Sequence, residues 1–260
     1  MELSNTKIYV YTHTKDFPLK EFYEKDDKYE IITKNSIQSR FINNNLQPSF
    51  NEPHGICYVW ENGLYKDYDN IGFCHYRSYL DITNPHISEK RYKVIVGEPL
   101  KFKQSLYEQW DQPHEFLDIT LNLIYNYSKE IYWSAVCHIN RNKLYRRNHF
   151  IMRVEDFKEY ADFAFTVTNK FCRHYNWETY NDVVKYCEDH KKDYPLLNLE
   201  ESAIYNEEWE YYKTVEYNCR TLAFLYERLT SIWLSYKYKP EEIFLAPIII
   251  KKRSYTDYGK

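Results

Sequence analysis

The chain has 260 residues, 43% of them apolar, and a formal net charge of −3 at pH 7. That length suits one globular domain with a sizeable core, and the near-neutral balance lacks the cationic footprint of a duplex-DNA or membrane-surface binder. Only five glycines occur, where average usage gives about 18, and none are spaced as G-x-G, so Walker, dinucleotide-binding and kinase glycine loops are excluded.

Any nucleotide must therefore be held by side chains. Lys7–Thr12 is a β-rich run that predicts a strand ending in polar His13-Thr14-Lys15-Asp16. Tyr29–Thr33 predicts a second strand, and Asn35–Gln47 reads as a loop. Asn51-Glu52-Pro53 opens a short helix, with Asn51 as its cap and Pro53 in the first turn, closing near Asn62-Gly63. Asn70–Tyr76 and Tyr92–Val96 are further strands. Leu117, Leu121, Ile124 and Tyr127 recur at helical spacing, and Phe150-Ile151-Met152 is strand-like. Amphipathic helices are predicted over Phe157–Cys172 and Leu222–Tyr236. The acidic, tyrosine-rich stretch Trp177–Glu216 yields no clear pattern. Ile243–Ile250 is a late apolar run before the polar tail Lys251–Lys260. Strands alternating with helices predict an α/β domain over residues 1–250, with a mixed sheet.

None of the six cysteines forms a C-x-x-C pair, and H-E-x-x-H is absent, so structural zinc and zincin chemistry find no support. Scattered cysteines in a chain of this size predict free thiols in a reducing, cytoplasmic compartment. The N-terminal run lacks a signal-peptide pattern, and no stretch approaches the roughly 18 apolar residues of a membrane span. Peripheral membrane association is the most the sequence allows.

The segment from Asp67 to Asp81 carries the densest chemistry. In open α/β sheets ligands bind beyond the carboxyl ends of strands, which puts Tyr76, Arg77, Tyr79 and Asp81 in position. An arginine offers a five-donor fork suited to diphosphate. A tyrosine stacks on a base or sugar, and an aspartate accepts from hydroxyls or ligates a divalent ion. The D-x-D pair Asp67 and Asp69 precedes the strand, and so falls at the wrong end for that role. The basic run Arg141–Asn148 interleaves an aromatic and matches single-strand nucleic-acid grooves in composition. Such a run is ordinarily a solvated face, a local loop that attracts an anionic donor or a lipid-phosphate acceptor is the alternative, and no nucleic-acid partner is expected.

Ile71-Gly72-Phe73-Cys74-His75-Tyr76-Arg77-Ser78-Tyr79-Leu80 resembles the I-G-L-x-H-Y-R-R-Y-F signature of small bacterial glycosyltransferases encoded in capsular and exopolysaccharide loci. That family has been catalogued as a domain of unknown function. Glu52–Asn62 is similar to its E-L-T-x-x-Y-W-x-W-K-N helix, retaining Glu52, Trp60 and Asn62. Asn148–Met152 with Phe157–Tyr160 is similar to N-M-F-I-M and F-D-E-Y, and Arg220–Leu234 to R-x-x-G-F-L-A-E-R-L-L-N-V-W-L. The blocks keep the family's order across nearly the whole chain. Ser78 stands where the signature has its second Arg, Ala223 replaces a Gly, and Pro53-His54 replaces Leu-Thr.

The resemblance implies a GT-A-like, Rossmann-like sandwich with a mixed, mostly parallel central sheet flanked by helices. It implies transfer from a nucleoside-diphosphate sugar, a UDP-sugar foremost, to a glycan or lipid-linked acceptor in surface polysaccharide synthesis. Donor contacts then fall to Thr12, His13, Tyr76, Arg77 and Tyr79, and acceptor contacts to Asn148, His149 and Arg228. His75 is either a donor contact or a proton-transfer group, and the candidate bases are Asp81, Glu227 and Asp118, in that order. Mn²⁺ or Mg²⁺ is compatible with this chemistry, and the sequence assigns no residue to either. The rival reading is a carbohydrate-binding module without turnover, which needs neither Arg77 nor a nucleotide.

Overall fold

The computed structural model describes residues 1–34, 37, 44–145, 147–195 and 214–251. The first part of the chain runs β1 (Thr6–Thr12), α1 (Lys20–Glu24), β2 (Tyr29–Thr33), α2 (Gln47–Phe50), α3 (Glu52–Glu61), β3 (Asn70–His75) and β4 (Ser78–Leu80). Then come β5 (Val94–Gly97), β6 (Leu100–Lys101), α4 (His114–Tyr127), α5 (Lys129–Ile139), β7 (Lys143–Leu144) and β8 (Phe150–Arg153). The remainder is α6 (Val154–His174), α7 (Tyr180–Asp189), α8 (Val215–Asn218), α9 (Thr221–Lys237), β9 (Ile243–Ala246) and β10 (Ile248–Ile250).

An eight-stranded mixed sheet is ordered β10-β4-β3-β8-β5-β9, with β1 beside β3 and β2 beside β1. β1 is parallel to both β2 and β3, and β5 is parallel to β9. β8 is antiparallel to β3 and to β5. The carboxyl ends of β1, β2, β3, β5 and β9 therefore lie along one edge, and only β4 and β8 run against the rest. The expected mixed, mostly parallel α/β sheet is present. Alternation along the strands divides the core in two. Tyr9, Tyr11, Ile71, Phe73, Phe150 and Met152 face a thick helical layer that includes α3, α6 and α9. Ile8, Val10, Cys74 and Ile151 face a thinner one built around Leu19 and Tyr23.

Two glycines set distances that matter for the site. A Cβ on Gly72 in β3 would lie 2.7 Å from Ile151 Cγ1, so β3 and its neighbours close tightly there. A Cβ on Gly55 in α3 would lie 2.8 Å from Tyr11 Cβ, so α3 presses directly on β1. That contact holds the N-terminus of α3, and with it Glu52, against the strand ends.

Several expectations are corrected. Asn51 does not cap α3 through its side chain: it sits at φ 52°, and its amide donates to Pro48 O at 3.2 Å. Tyr76 belongs to the turn after β3 and not to the strand. The run Ile243–Ile250 is two strands split at Pro247, which has no N–H for a ladder, and β10 crosses over to pair with β4. Much of the unreadable stretch and of the polar tail, residues 196–213 and 252–260, lies outside the described residues. α7 was hidden because its buried stripe is only Val183 and Cys187. α5 was missed because its buried face includes His138 beside Ile131, Ala135 and Ile139. All six cysteines are free thiols. No helix among the described residues is long and apolar enough to cross a membrane.

Two core histidines give the fold a mild acid sensitivity. His54 and His138 are 2% and 3% exposed. Burial, with the charges of Lys34 and Arg141 respectively, lowers each imidazole from its ordinary 6.5 to about 4. Because the folded values lie below the unfolded ones, the stability these groups confer is complete above pH 6.5 and is lost as pH falls toward 4. At pH 5 that loss is about 2 kcal/mol apiece. In His138→Gln an amide can keep the bond to Ser235, whose Oγ lies 2.8 Å from the ring Nδ1. Urea unfolding at pH 7 and pH 5 should show the variant losing about 2 kcal/mol less than wild type across that interval. An identical fall in both proteins would mean His138 is not buried as a neutral ring.

Candidate active site

The carboxyl edge of the sheet gathers the ends of β1 and β3, the turn that enters β8, and the N-terminal turns of α3 and α9. Tyr76 and Arg77 form the tip of the β3–β4 hairpin, closed by the pairing of His75 with Ser78. Tyr23 braces that hairpin from beneath, its hydroxyl 3.0 Å from the carbonyl oxygens of both His75 and Ser78. His149 braces it from the side, with Nε2 3.1 Å from Ser78 O and Ser78 Oγ.

His75 has both ring nitrogens engaged. Its Nδ1 accepts from the Arg77 N–H at 3.1 Å, which leaves the proton on Nε2, 2.9 Å from Glu52 Oε1. Burial depresses the His75 pKa against the pull of Glu52, and the charges of Arg77 and Arg147 depress it further. The ring is therefore neutral at pH 7. Burial alone would raise the Glu52 carboxyl, but the hydrogen bond from His75 and the charge of Arg220 hold it down at about 2. An ionised Glu52 and a neutral His75 thus lock α3 to the hairpin.

Glu227 enters from α9. Its Oε1 accepts the Arg147 N–H at 2.8 Å. Burial raises its pKa, with Glu52 adding to the rise and Arg147, Arg228 and Arg220 opposing it. Arg147 and Asn148 both lie in the left-handed region, at φ 63° and 49°. Consecutive non-glycine residues there are uncommon and cluster at functional sites. The turn is fixed because Asn148 Oδ1 accepts from Thr230 Oγ1 at 2.9 Å. Farther along α9, the Arg228 guanidinium lies 4.2 Å from the Trp110 ring centroid and donates to Phe224 O at 3.2 Å. Burial raises the pKa of neighbouring Asp111, with the Arg228 charge opposing it. A carboxylate of raised pKa and several guanidiniums thus surround one strand edge, a chemistry suited to an anionic substrate and a proton acceptor.

The structure brings His75, Tyr76, Arg77, Asn148, His149, Glu227 and Arg228 to this edge. Asn148 and His149 are 4% and 3% exposed, with polar atoms bonded to Thr230 and to the hairpin, so they shape the edge from within. Thr12 is fully buried and its Oγ1 closes a turn onto Thr14, while exposed His13 lies edge-on to Tyr76 at 5.1 Å. Two expected residues lie elsewhere. Tyr79 stacks on Phe22 at 4.3 Å, and it packs with the thinner layer. Asp81 accepts from the Thr83 N–H and hydroxyl, and its charge falls on Tyr29. The hairpin reversal carries both away from Glu52 and Glu227. Asp118 is exposed on α4 beside Tyr107. Asp67 and Asp69 precede β3 at the opposite sheet edge, where the Asn5 side-chain amide donates to Asp67 O and the Asp69 N–H donates to Asn5 O. Among the described residues no three His, Cys, Asp or Glu side chains come together as a metal site.

Sequence reasoning gave no individual role to Glu52, Arg147 or Asp111, and placed Arg220 only within a recognised block. Glu52 had a signal, since it opens α3 within one of the recognised blocks. Arg147 was legible only as one member of the basic run Arg141–Asn148, because its left-handed backbone is what aims it at the site.

The family described as "Domain of unknown function (DUF4422)" matches residues 22–187, more than half of the chain. The chain belongs to this family. Among solved structures, the DUF4422 chain is similar to the apo structure of WbbM, a bifunctional glycosyltransferase. The TM-score is 0.66 at 13% identity, covering 96% of this chain and 46% of that one. This chain thus spans about half the length of that structure, and the likeness establishes a shared fold. No curated protein matches the sequence.

Proposed function

We propose that the protein is a glycosyltransferase, its domain spanning residues 1–250, that moves a sugar from a nucleoside-diphosphate donor, foremost a UDP-sugar, to a glycan or lipid-linked acceptor of a surface polysaccharide. The observation that carries this reading is that Arg77, at the hairpin tip, and Glu227, a carboxylate of raised pKa that accepts the Arg147 N–H, both lie at the carboxyl edge of a sheet whose fold is shared with a glycosyltransferase. Transfer requires a leaving diphosphate to be neutralised, and an acceptor hydroxyl to be positioned and relieved of its proton. Arg77 supplies the cation, and His13 and Tyr76 offer aromatic edges to the nucleotide beside the Thr12 turn. Glu227 takes the proton, since Asp81 is bound to Thr83 and Asp118 faces solvent. His75 positions the hairpin through Glu52. Arg228 and Trp110, 6% and 2% exposed, support the edge from behind together with Asn148 and His149. The free thiols and the absence of a spanning helix among the described residues accord with a cytoplasmic enzyme, peripheral to the membrane at most.

Thermal unfolding with UDP, GDP and CDP, each with and without Mn²⁺ or Mg²⁺, tests the donor. A ligand present at 100 times its Kd adds roughly 2.7 kcal/mol to stability. The expected result is a clear upward shift with one diphosphate, UDP being the leading candidate. If no nucleotide shifts the midpoint while oligosaccharides do, the protein is a carbohydrate-binding module and not a transferase.

A further inference from the structure

We infer that Arg147 is a second diphosphate-binding residue, which with Arg77 clamps the donor across the β3–β4 hairpin and neutralises it with side-chain charge. The inference rests on the donor reading above. Arg147 Nη1 lies 3.3 Å from Ser78 Oγ, and Ser78 directly follows Arg77. The two guanidiniums therefore bracket one short hairpin from two different parts of the fold. The positive charge of each bears on the His75 ring between them. Both side chains are partly exposed, so a ligand can reach them from the solvent side.

The geometry around Arg147 is built, not incidental. Two successive residues adopt left-handed backbone, Asn148 is pinned to Thr230, and the Arg147 N–H is held by Glu227. A left-handed turn held by two hydrogen bonds costs conformational strain, and strain of this kind clusters at functional sites. Ser78, fully buried and small, leaves room for the guanidinium to cross above it, where His149 also reaches the same hydroxyl. A phosphate is the ligand that two planar donor forks on one hairpin suit, because each fork supplies paired N–H bonds. Binding of the Arg147 N–H to Glu227 also links the diphosphate end of the site to the proposed base.

Calorimetric titration with UDP and UMP in EDTA, on wild type, Arg147→Ala and Arg147→Lys, tests the clamp. The alanine variant keeps the backbone N–H bonded to Glu227, and circular dichroism confirms that its fold is retained. Arg147→Ala should weaken UDP roughly 10- to 150-fold while UMP changes by a few-fold at most, so that the preference for UDP collapses. Arg147→Lys should recover part of that loss. Equal weakening of UDP and UMP would overturn the clamp in favour of a merely structural arginine. So would unchanged UDP affinity in Arg147→Ala, or wild-type UDP binding that vanishes in EDTA and returns with Mn²⁺, and in each of these cases the donor reading survives. Wild type that binds neither nucleotide under any condition overturns the donor reading and the clamp together.

Discussion

Arg77→Ala should lose most transfer activity while keeping its fold. The Arg77 side chain projects from the hairpin tip, its guanidinium 5.0 Å from the Tyr76 ring centroid. The bond that organises the turn, from the Arg77 N–H to His75 Nδ1, uses the backbone amide of residue 77, which alanine retains. Removing one charge-assisted contact to a diphosphate costs about 1.5–3 kcal/mol, or roughly 10- to 150-fold in kcat/KM. Arg77→Lys should rescue only part, because a point charge does not reproduce a bidentate fork. Asp67→Asn combined with Asp69→Asn should stay within a few-fold of wild type, since both residues precede β3 at the far edge of the sheet. Steady-state kinetics on the three variants decides the matter. An active Arg77→Ala alongside a dead double-asparagine variant would place the donor at the other edge and replace this reading.

Glu227→Gln should be the most damaging conservative change. A positioned general base contributes roughly 100- to 10,000-fold, so kcat should fall within that range. Nucleotide affinity should hold, because the glutamine carbonyl can still accept from the Arg147 N–H. The pH profile supplies an independent check. A base acts when ionised, and burial raises the Glu227 pKa above its ordinary 4.5, against the pull of Arg147 and its neighbours. The wild-type rate should therefore rise with pH through a limb displaced above the usual carboxylate range, and the limb should be missing in Glu227→Gln. A variant with near-normal kcat and an unchanged limb would remove Glu227 as the base. Asp111, also raised by burial, would be the next residue to test.

Local chemistry determined much of this protein. The β-branched and aromatic runs at Lys7–Thr12 and Tyr29–Thr33 have one favourable conformation, and the stripe from Phe157 to Cys172 has one face to bury, so they formed as read. The direction of β3 was also legible, and it placed Arg77 at the carboxyl edge of the sheet and the D-x-D pair at the other. Tertiary structure decided the rest. Whether Asp81 or Glu227 joins the edge that carries His75 depends on a two-residue hairpin reversal and on where α9 lands, and those are facts about packing between segments some 150 positions apart. Glu52 gained its role only because a missing Cβ at Gly55 lets α3 press on β1. Arg147 is aimed by a left-handed turn that no propensity favours for arginine, held by contacts to α9. Sequence sets local conformation through short-range sterics and burial pattern. The convergence of charges on one edge is set by long-range contacts, whose combined energy outweighs the strain of the turn that completes it.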